Sequence, residues 1–325
     1  MRQRALAYLA CPDCRAELNV VATKTEGDHI MEGELRCTAC RRSFAIRNGV
    51  PRFAEQIGEI EQKTAEAFGY EWTNYAELAD RYRKQFLDWV RPITPDFFQG
   101  KAVLEGGCGK GRHTSVVASF GARDVVALDL SDAVDAAFAN TRQLPNAHII
   151  QADLTRPPVK RVFDYAFSIG VLHHLPDPEK GFRALVSRLV IGAAISAWVY
   201  GREGNGWIVH IVTPVREHVT SKLPHRLLDA LSALATVPLF LATRLVYGPL
   251  KGRGLPYGPY LAYIAPFPYR EQRSIVFDHL VAPVAYYITR AEFAAWFARA
   301  NLTDVTIEHH NANSWRGFGR LPGDR

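Results

Sequence analysis

The middle of the chain is built of short apolar runs that end in acids and are separated by stretches of helical spacing. Val103-Leu104 leads into Glu105 and then a loop with glycine at 107, 109 and 111, after which residues 113–120 have the pattern of a helix. Further apolar runs cover residues 125–129, ending in Asp129, and 149–154, with Asp153 near the end. Others cover residues 163–174, ending in His173-His174, and 193–199. Strand-length apolar runs alternating with helical segments predict a parallel sheet with helices on both faces. The glycines allow a sharp turn and let a ligand approach the backbone without meeting a Cβ.

The flanks read differently. Residues 46–53 suggest a strand, a turn and an exit, and residues 60–67 and 76–90 suggest two helices around Phe68-Gly69-Tyr70-Glu71-Trp72. Residues 201–280 are an insertion rich in Leu, Pro, Tyr and Gly, with a helix expected over 227–246. Thr289-Arg290-Ala291-Glu292 is a capping box opening a helix over 291–300, with Asn301 suited to a left-handed cap, and strands are expected at 303–308 and 314–319. This gives three units: residues 1–54, a helical linker at 55–100, and an α/β domain at 101–325 with a helical lid at about 201–280.

At 325 residues the chain is long enough for a full α/β domain and a small attachment. A net charge of +6 permits an anionic partner without demanding one. No long apolar core follows the first arginines, which argues against a signal peptide. The nearest approach to a spanning segment, residues 227–250, is interrupted by Asp229, Pro238, Arg244 and Gly248. A cytoplasmic protein is expected. Leu227, Leu228, Leu231, Leu234 and Ala235 recur at helical spacing, which fits core packing first and peripheral membrane contact second, with Arg226 and Arg244 in reach of headgroups.

Four of the five cysteines form two CxxC knuckles, Cys11-Pro-Asp-Cys14 and Cys37-Thr-Ala-Cys40. Two such turns close four thiolates around one tetrahedral Zn2+ and leave no open position, so the zinc is structural. Disulfides are disfavoured without a secretion signal. Cys108, in the glycine loop, reads as a small residue fitting a tight turn.

The four landmarks from Glu105 to His174, in this order and spacing, resemble the class I S-adenosylmethionine-dependent methyltransferases, with a Rossmann-like sheet. Residues 9–53 are similar to small zinc-ribbon subunits that activate some tRNA and release-factor methyltransferases. Ser168-Ile169-Gly170-Val171-Leu172-His173-His174 and the Phe-Gly-Tyr-x-Trp segment resemble a bacterial group of methyltransferases carrying a fused ribbon. One departure is Val190-Ile191-Gly192-Ala193, where related enzymes have a proline-glycine-glycine turn.

The resemblance implies roles residue by residue. Glu105, Gly107, Cys108, Gly109 and Gly111 would wrap the methionyl part of S-adenosylmethionine, with Glu105 on its ammonium. Asp129 and Leu130 would take the ribose, Asp153 and Leu154 the adenine, and Ser168 and Ile169 the methionyl end. Each acid could instead cap a helix. His173 and His174 are the candidate general bases, the alternative being packing and capping. Phe68 and Trp72 could line the site or pack, and Asp278, His279, Tyr286 and Tyr287 are further lid-side candidates. The alternating glycines do not match the G-x-G-x-x-G of dinucleotide enzymes.

The leading expectation is methyl transfer to a small or amphipathic metabolite, such as a lipid, a glycan or a secondary-metabolite precursor, since a groove lined by Leu, Phe and Tyr suits a greasy acceptor. RNA methylation is the alternative. Arg2, Arg4, Arg15, Lys24, Arg36, Arg41, Arg42, Arg47 and Arg52 make the ribbon basic, which suits phosphate contact or docking on an acidic face of the catalytic domain. A non-catalytic cofactor-binding or interaction module is a third class, disfavoured by the intact glycine loop and acids. The acceptor atom and the oligomeric state are not legible.

Overall fold

The computed structural model describes residues 1–54, 58–74 and 81–323. A short 3-10 turn, Gln3–Ala7, precedes an antiparallel sheet of β1 (Leu18–Glu26), β2 (His29–Cys37), β3 (Ser43–Arg47) and β4 (Val50–Pro51) in sequential order. Then come α1 (Glu59–Asn74) and α2 (Arg81–Trp89). The segment Phe68-Gly69-Tyr70-Glu71 does not break the first helix as the sequence suggests. A helix-interior glycine costs about 1 kcal/mol, and packing of Ala67 and Tyr70 against Leu228, Phe277 and Val281 offsets it. The first part of the expected helix 76–90 lies outside the described residues.

The main sheet holds β5 (Ala102–Gly106), β6 (Asp124–Asp129), β7 (Ala147–Gln151), β8 (Phe163–Ile169), β9 (Leu189–Tyr200), β10 (Thr303–His310) and β11 (Ser314–Arg320). Its order is β10-β11-β9-β8-β5-β6-β7, with β11 antiparallel to both neighbours and the pairs among β5 to β9 parallel. Period-2 alternation divides β5 between two cores. Ala102 and Leu104 face one, and Val103 faces the other with Phe86, Phe98 and Val117. The helices are α3 (Arg112–Ser119), α4 (Ala133–Thr141), α5 (Pro178–Val186) and α10 (Arg290–Arg299). The capping box on Thr289 and Glu292 forms, and Asn301 is left-handed at φ 53°. Phe163 pairs with Leu189 and Tyr165 with Ala194, so the segment Val190-Ile191-Gly192-Ala193 is accommodated as a bulge, with Gly192 at φ 78°.

The N-terminal unit is not a separate bead. Leu9, Leu35, Phe44 and Ile46 share one apolar cluster with Leu104, Val126 and Leu128 of the main sheet. Asp124, buried at the start of β6, accepts hydrogen bonds from Tyr8 Oη (2.6 Å) and Arg4 Nη2 (2.7 Å) and pairs with His148 Nε2 (2.8 Å). Burial pushes its carboxyl upward, but those three partners hold it below its ordinary value. Arg52 bridges Gln151 in parallel register, so the exit of the ribbon covers the edge strand β7.

The insertion folds as α6 (Thr213–His218), α7 (His225–Ala242), α8 (Gly258–Ile264) and α9 (Tyr269–Val281). Core packing of the apolar stripe of α7 is corrected here. Leu228 is buried, but Leu227, Leu231, Leu234, Val237 and Leu241 face outward, while Ser232 and Thr236 point in. Those two hydroxyls are satisfied within the helix, donating to the carbonyls of Leu228 and Ser232 at 2.8 and 2.6 Å. Polar side chains that bond their own helix can face the interior at little cost, which frees the apolar face. Among the described residues, 225–247 is the one helical stretch long and apolar enough to cross a membrane, with 17% of that window buried.

Candidate functional site

Parallel strands open their ligand crevice at their carboxyl ends, and a cavity of about 360 Å³ lies there. The lid helices α8 and α9 close it from above, and α1 and α2 line one side.

One half is the turn after β5. Gly107, Cys108 and Gly109 line it, with Asp129, Leu130, Asp153, Leu154 and Ile169. Gly107 has φ 83°, and a Cβ there would lie 2.2 Å from Val171 Cγ2, so only glycine leaves this cradle open. Asp129 accepts from Gly109 N (2.7 Å), Ser131 N (2.9 Å) and Ser131 Oγ (2.6 Å). Burial raises its carboxyl, opposed by those bonds. Asp153 accepts from the backbone and hydroxyl of Thr155 at 2.7 and 2.8 Å. Both side chains line the cavity, where a carboxylate can accept from hydroxyl or amino donors.

Three residues expected at the cofactor do not line the cavity. Glu105 lies beneath the loop, accepting from Thr114 Oγ1 at 2.5 Å, with Oε1 unpartnered near His113. Burial pushes its carboxyl up to about 8. Gly111 packs against Ala137 and Thr141. Ser168 Oγ donates to the Gly106 carbonyl at 2.8 Å and so shapes the loop from below.

The two histidines separate. His173 is fully buried beneath the Tyr200 ring, 4.0 Å between centroids, and does not line the cavity. His174 does, and its Nδ1 lies 2.7 Å from the Val284 carbonyl. A donor at Nδ1 leaves the lone pair on Nε2. Burial lowers its basicity, opposed by Asp278 and by the Val284 carbonyl.

The other half of the cavity comes from the lid and α1. Phe68, Asp278, His279 and Tyr287 line it as the sequence suggested, whereas Tyr286 is exposed on the outside. The Trp72 side chain lies outside the described residues. Sequence reasoning missed Glu71, Tyr200, Tyr260, Tyr263 and Trp198, which also line it. Tyr200 Oη donates to Asp278 Oδ2 at 2.7 Å, and Ser274 Oγ donates to Glu71 Oε1 at 2.6 Å. Burial holds the Glu71 carboxyl well above its usual range, and the neighbouring Asp278 adds to this, while Arg112 and Lys110 pull the other way.

Outside the cavity lining, the sulfurs of Cys11, Cys14, Cys37 and Cys40 lie within 4.8 Å of one another, with Cys11 to Cys40 at 3.7 Å and Cys14 to Cys37 at 3.3 Å. Zn–S bonds of about 2.3 Å in a tetrahedron put sulfurs about 3.8 Å apart, so the four thiolates fit one zinc ion. Of the nine basic residues in the ribbon, Arg2, Arg4, Arg15 and Arg52 are bonded onto the catalytic domain, and Lys24, Arg36 and Arg42 meet acids within the ribbon.

Sheet order, glycine cradle and strand-end acids together define a Rossmann-like methyltransferase fold behind a four-cysteine zinc unit. Residues 104–195 match the family described as methyltransferase domain, and residues 2–49 match the Trm112p-like proteins. The chain thus carries an S-adenosylmethionine-dependent methyltransferase domain with a Trm112p-like zinc-binding domain in front of it. A solved complex of DhpI with SAH shares the fold, with a TM-score of 0.51, 16% identity, and coverage of 83% of this chain and 100% of that one.

A tRNA U34 carboxymethyltransferase of Haemophilus influenzae is 32% identical over 101 residues, covering 30% of this chain and 32% of the relative. An uncharacterized protein of a Synechococcus strain is 30% identical over 135 residues, covering 37% and 32%. The chain spans about a third of the length of these curated relatives. The expectation of a small or amphipathic partner, with RNA second, is corrected by this finding: the relative of known activity modifies tRNA.

Proposed function

We propose that the protein transfers a methyl group from S-adenosylmethionine to RNA. The observation that carries this reading is the similarity of the cofactor-binding region to tRNA-modifying enzymes. It also supports a cytoplasmic place of action. The cofactor brings an already activated methyl on a sulfonium. The chain holds donor and acceptor in line. The turn at Gly107-Cys108-Gly109 takes the methionyl part, Asp129 the ribose hydroxyls, and Asp153 the adenine amino group. His174, held by Val284 with its lone pair on Nε2, accepts the proton released by the acceptor. His173 supports Tyr200 from below.

The ribbon acts first as a buttress, since most of its positive charge is engaged. Arg41 and Arg47, both exposed, are the ribbon residues suited to phosphate. The test is incubation of the zinc-replete protein with methyl-labelled S-adenosylmethionine and total tRNA, beside Asp129→Ala. Label that precipitates with RNA, is released by ribonuclease and is lost in the variant supports the reading. Cofactor binding without label in RNA overturns it.

A further inference from the structure

Glu71 stands on α1 and Asp278 on α9, more than 200 residues apart in sequence, yet they meet at one wall of the cavity. Ser274, which holds Glu71, lies one helical turn before Asp278, and residues four apart share a helix face. The two carboxyl groups are therefore near neighbours. Two carboxyls this close in a dry site do not both ionise. Tyr200 Oη already donates to Asp278, which makes Asp278 the acceptor of the two.

Glu71 is 1% exposed, and its Oε1 accepts from Ser274. Its Oε2 is buried without any hydrogen-bond partner. An orphaned polar atom in a binding cavity costs free energy until a ligand meets it. His279 Nδ1, on the same wall of the cavity, is likewise buried and unpartnered. Phe68, Tyr200 and Tyr260 supply flat aromatic walls. A greasy chain would leave those polar atoms unmet, whereas a planar heterocycle with polar edges fits walls and atoms together.

We infer that Glu71 and Asp278 form a donor–acceptor pair that reads the N–H/C=O edge of a nucleobase extruded from its strand, Asp278 accepting from the ring N–H and Glu71 donating to the adjacent carbonyl. This deepens the RNA reading and rests on it. Extruded bases are read by hydrogen bonds to one edge and by aromatic packing on their faces. The pair discriminates against bases whose edge is reversed or blocked, and a bidentate contact of this kind is worth roughly tenfold or more.

The experiment measures binding of free nucleosides by calorimetry to the full-length, zinc-replete protein filled with S-adenosylhomocysteine. Uridine and inosine carry the edge, 3-methyluridine and 1-methylinosine have it blocked, and cytidine has it reversed. The expected result is binding of uridine and inosine with roughly tenfold or greater loss for the other three. Glu71→Gln, whose amide still donates, keeps the preference. Glu71→Ala and Asp278→Ala lose it while still binding S-adenosylhomocysteine, which shows that they are folded. Equal binding of uridine and 3-methyluridine, or a preference that survives in both Glu71→Ala and Asp278→Ala, overturns the inference. So does methylation of tRNA by a protein that binds no nucleoside. If edge discrimination is present and tRNA takes no label, the RNA reading fails alone and the pair reads a free heterocycle.

Discussion

The Tyr8 hydroxyl donates a 2.6 Å hydrogen bond to Asp124, which fastens the first turn of the zinc-binding unit to the second strand of the parallel sheet. Asp124 is 1% exposed, and this bond is made to a charged acceptor in a place that water does not reach. Hydrogen bonds to buried charged groups contribute about 1.5–3 kcal/mol. Tyr8→Phe is expected to lower unfolding free energy by about that much, measured by urea denaturation at neutral pH. A loss below about 0.5 kcal/mol would mean that Arg4 and His148 suffice to satisfy the carboxylate.

Zinc and the catalytic domain should unfold together. Four thiolates organise a unit whose apolar residues belong to the same cluster as β5 and β6. Metal sites of this kind supply folding free energy. A strong chelator, or Cys37→Ser, is expected to abolish S-adenosylhomocysteine binding and to lower the melting temperature of the entire chain in a single transition. A chelated protein that still binds S-adenosylhomocysteine would contradict the shared core.

The cradle after β5 allows a sharp test. A Cβ on Gly107 would meet Val171, a β-branched side chain with little freedom to move, at 2.2 Å, on a backbone at φ 83°. Gly107→Ala is expected to weaken S-adenosylhomocysteine binding by more than about tenfold, since the loop must shift out of the cofactor's path. Calorimetry measures the affinity, and circular dichroism checks that the fold persists.

Glu105 predicts a pH dependence. Burial raises its carboxyl from an ordinary value of 4.5 to about 8. Between those two values the unfolded chain has lost this proton and the folded chain keeps it. Stability therefore falls as pH rises through that window, with a slope of up to about 1.4 kcal/mol per pH unit from this group. Glu105→Gln, which imitates the protonated form, is expected to remove this slope in denaturation curves taken between pH 5 and pH 8. An unchanged slope would place the sensitivity elsewhere.

The half of the cavity proposed for the cofactor is readable in the sequence because it is local. Gly107, Asp129 and Asp153 each follow an apolar run, and the parallel sheet brings such strand ends to one edge. The lid half is not. Glu71 and Ser274 are 203 residues apart, and no spacing rule joins them. Glu105 was misplaced for a related reason: the pattern shows that an acid ends the strand region, but not which face of the loop it takes. On α7, Leu227, Leu231 and Leu234 recur as a core stripe would. Periodicity reports that a helix has two faces and does not say which one looks inward. Ser232 and Thr236 took the interior by bonding their own helix.

The bonds from Arg2, Arg4, Tyr8, Arg15 and Arg52 to the catalytic half all lie within a single polypeptide. Were the same contacts made between two molecules, their occupancy would depend on both concentrations and would fall on dilution. Covalent linkage replaces that dependence with a fixed local concentration. Stoichiometry is then locked at one to one from synthesis onward. No imbalance in expression can leave the catalytic half without its buttress, and no competing enzyme can take the buttress away.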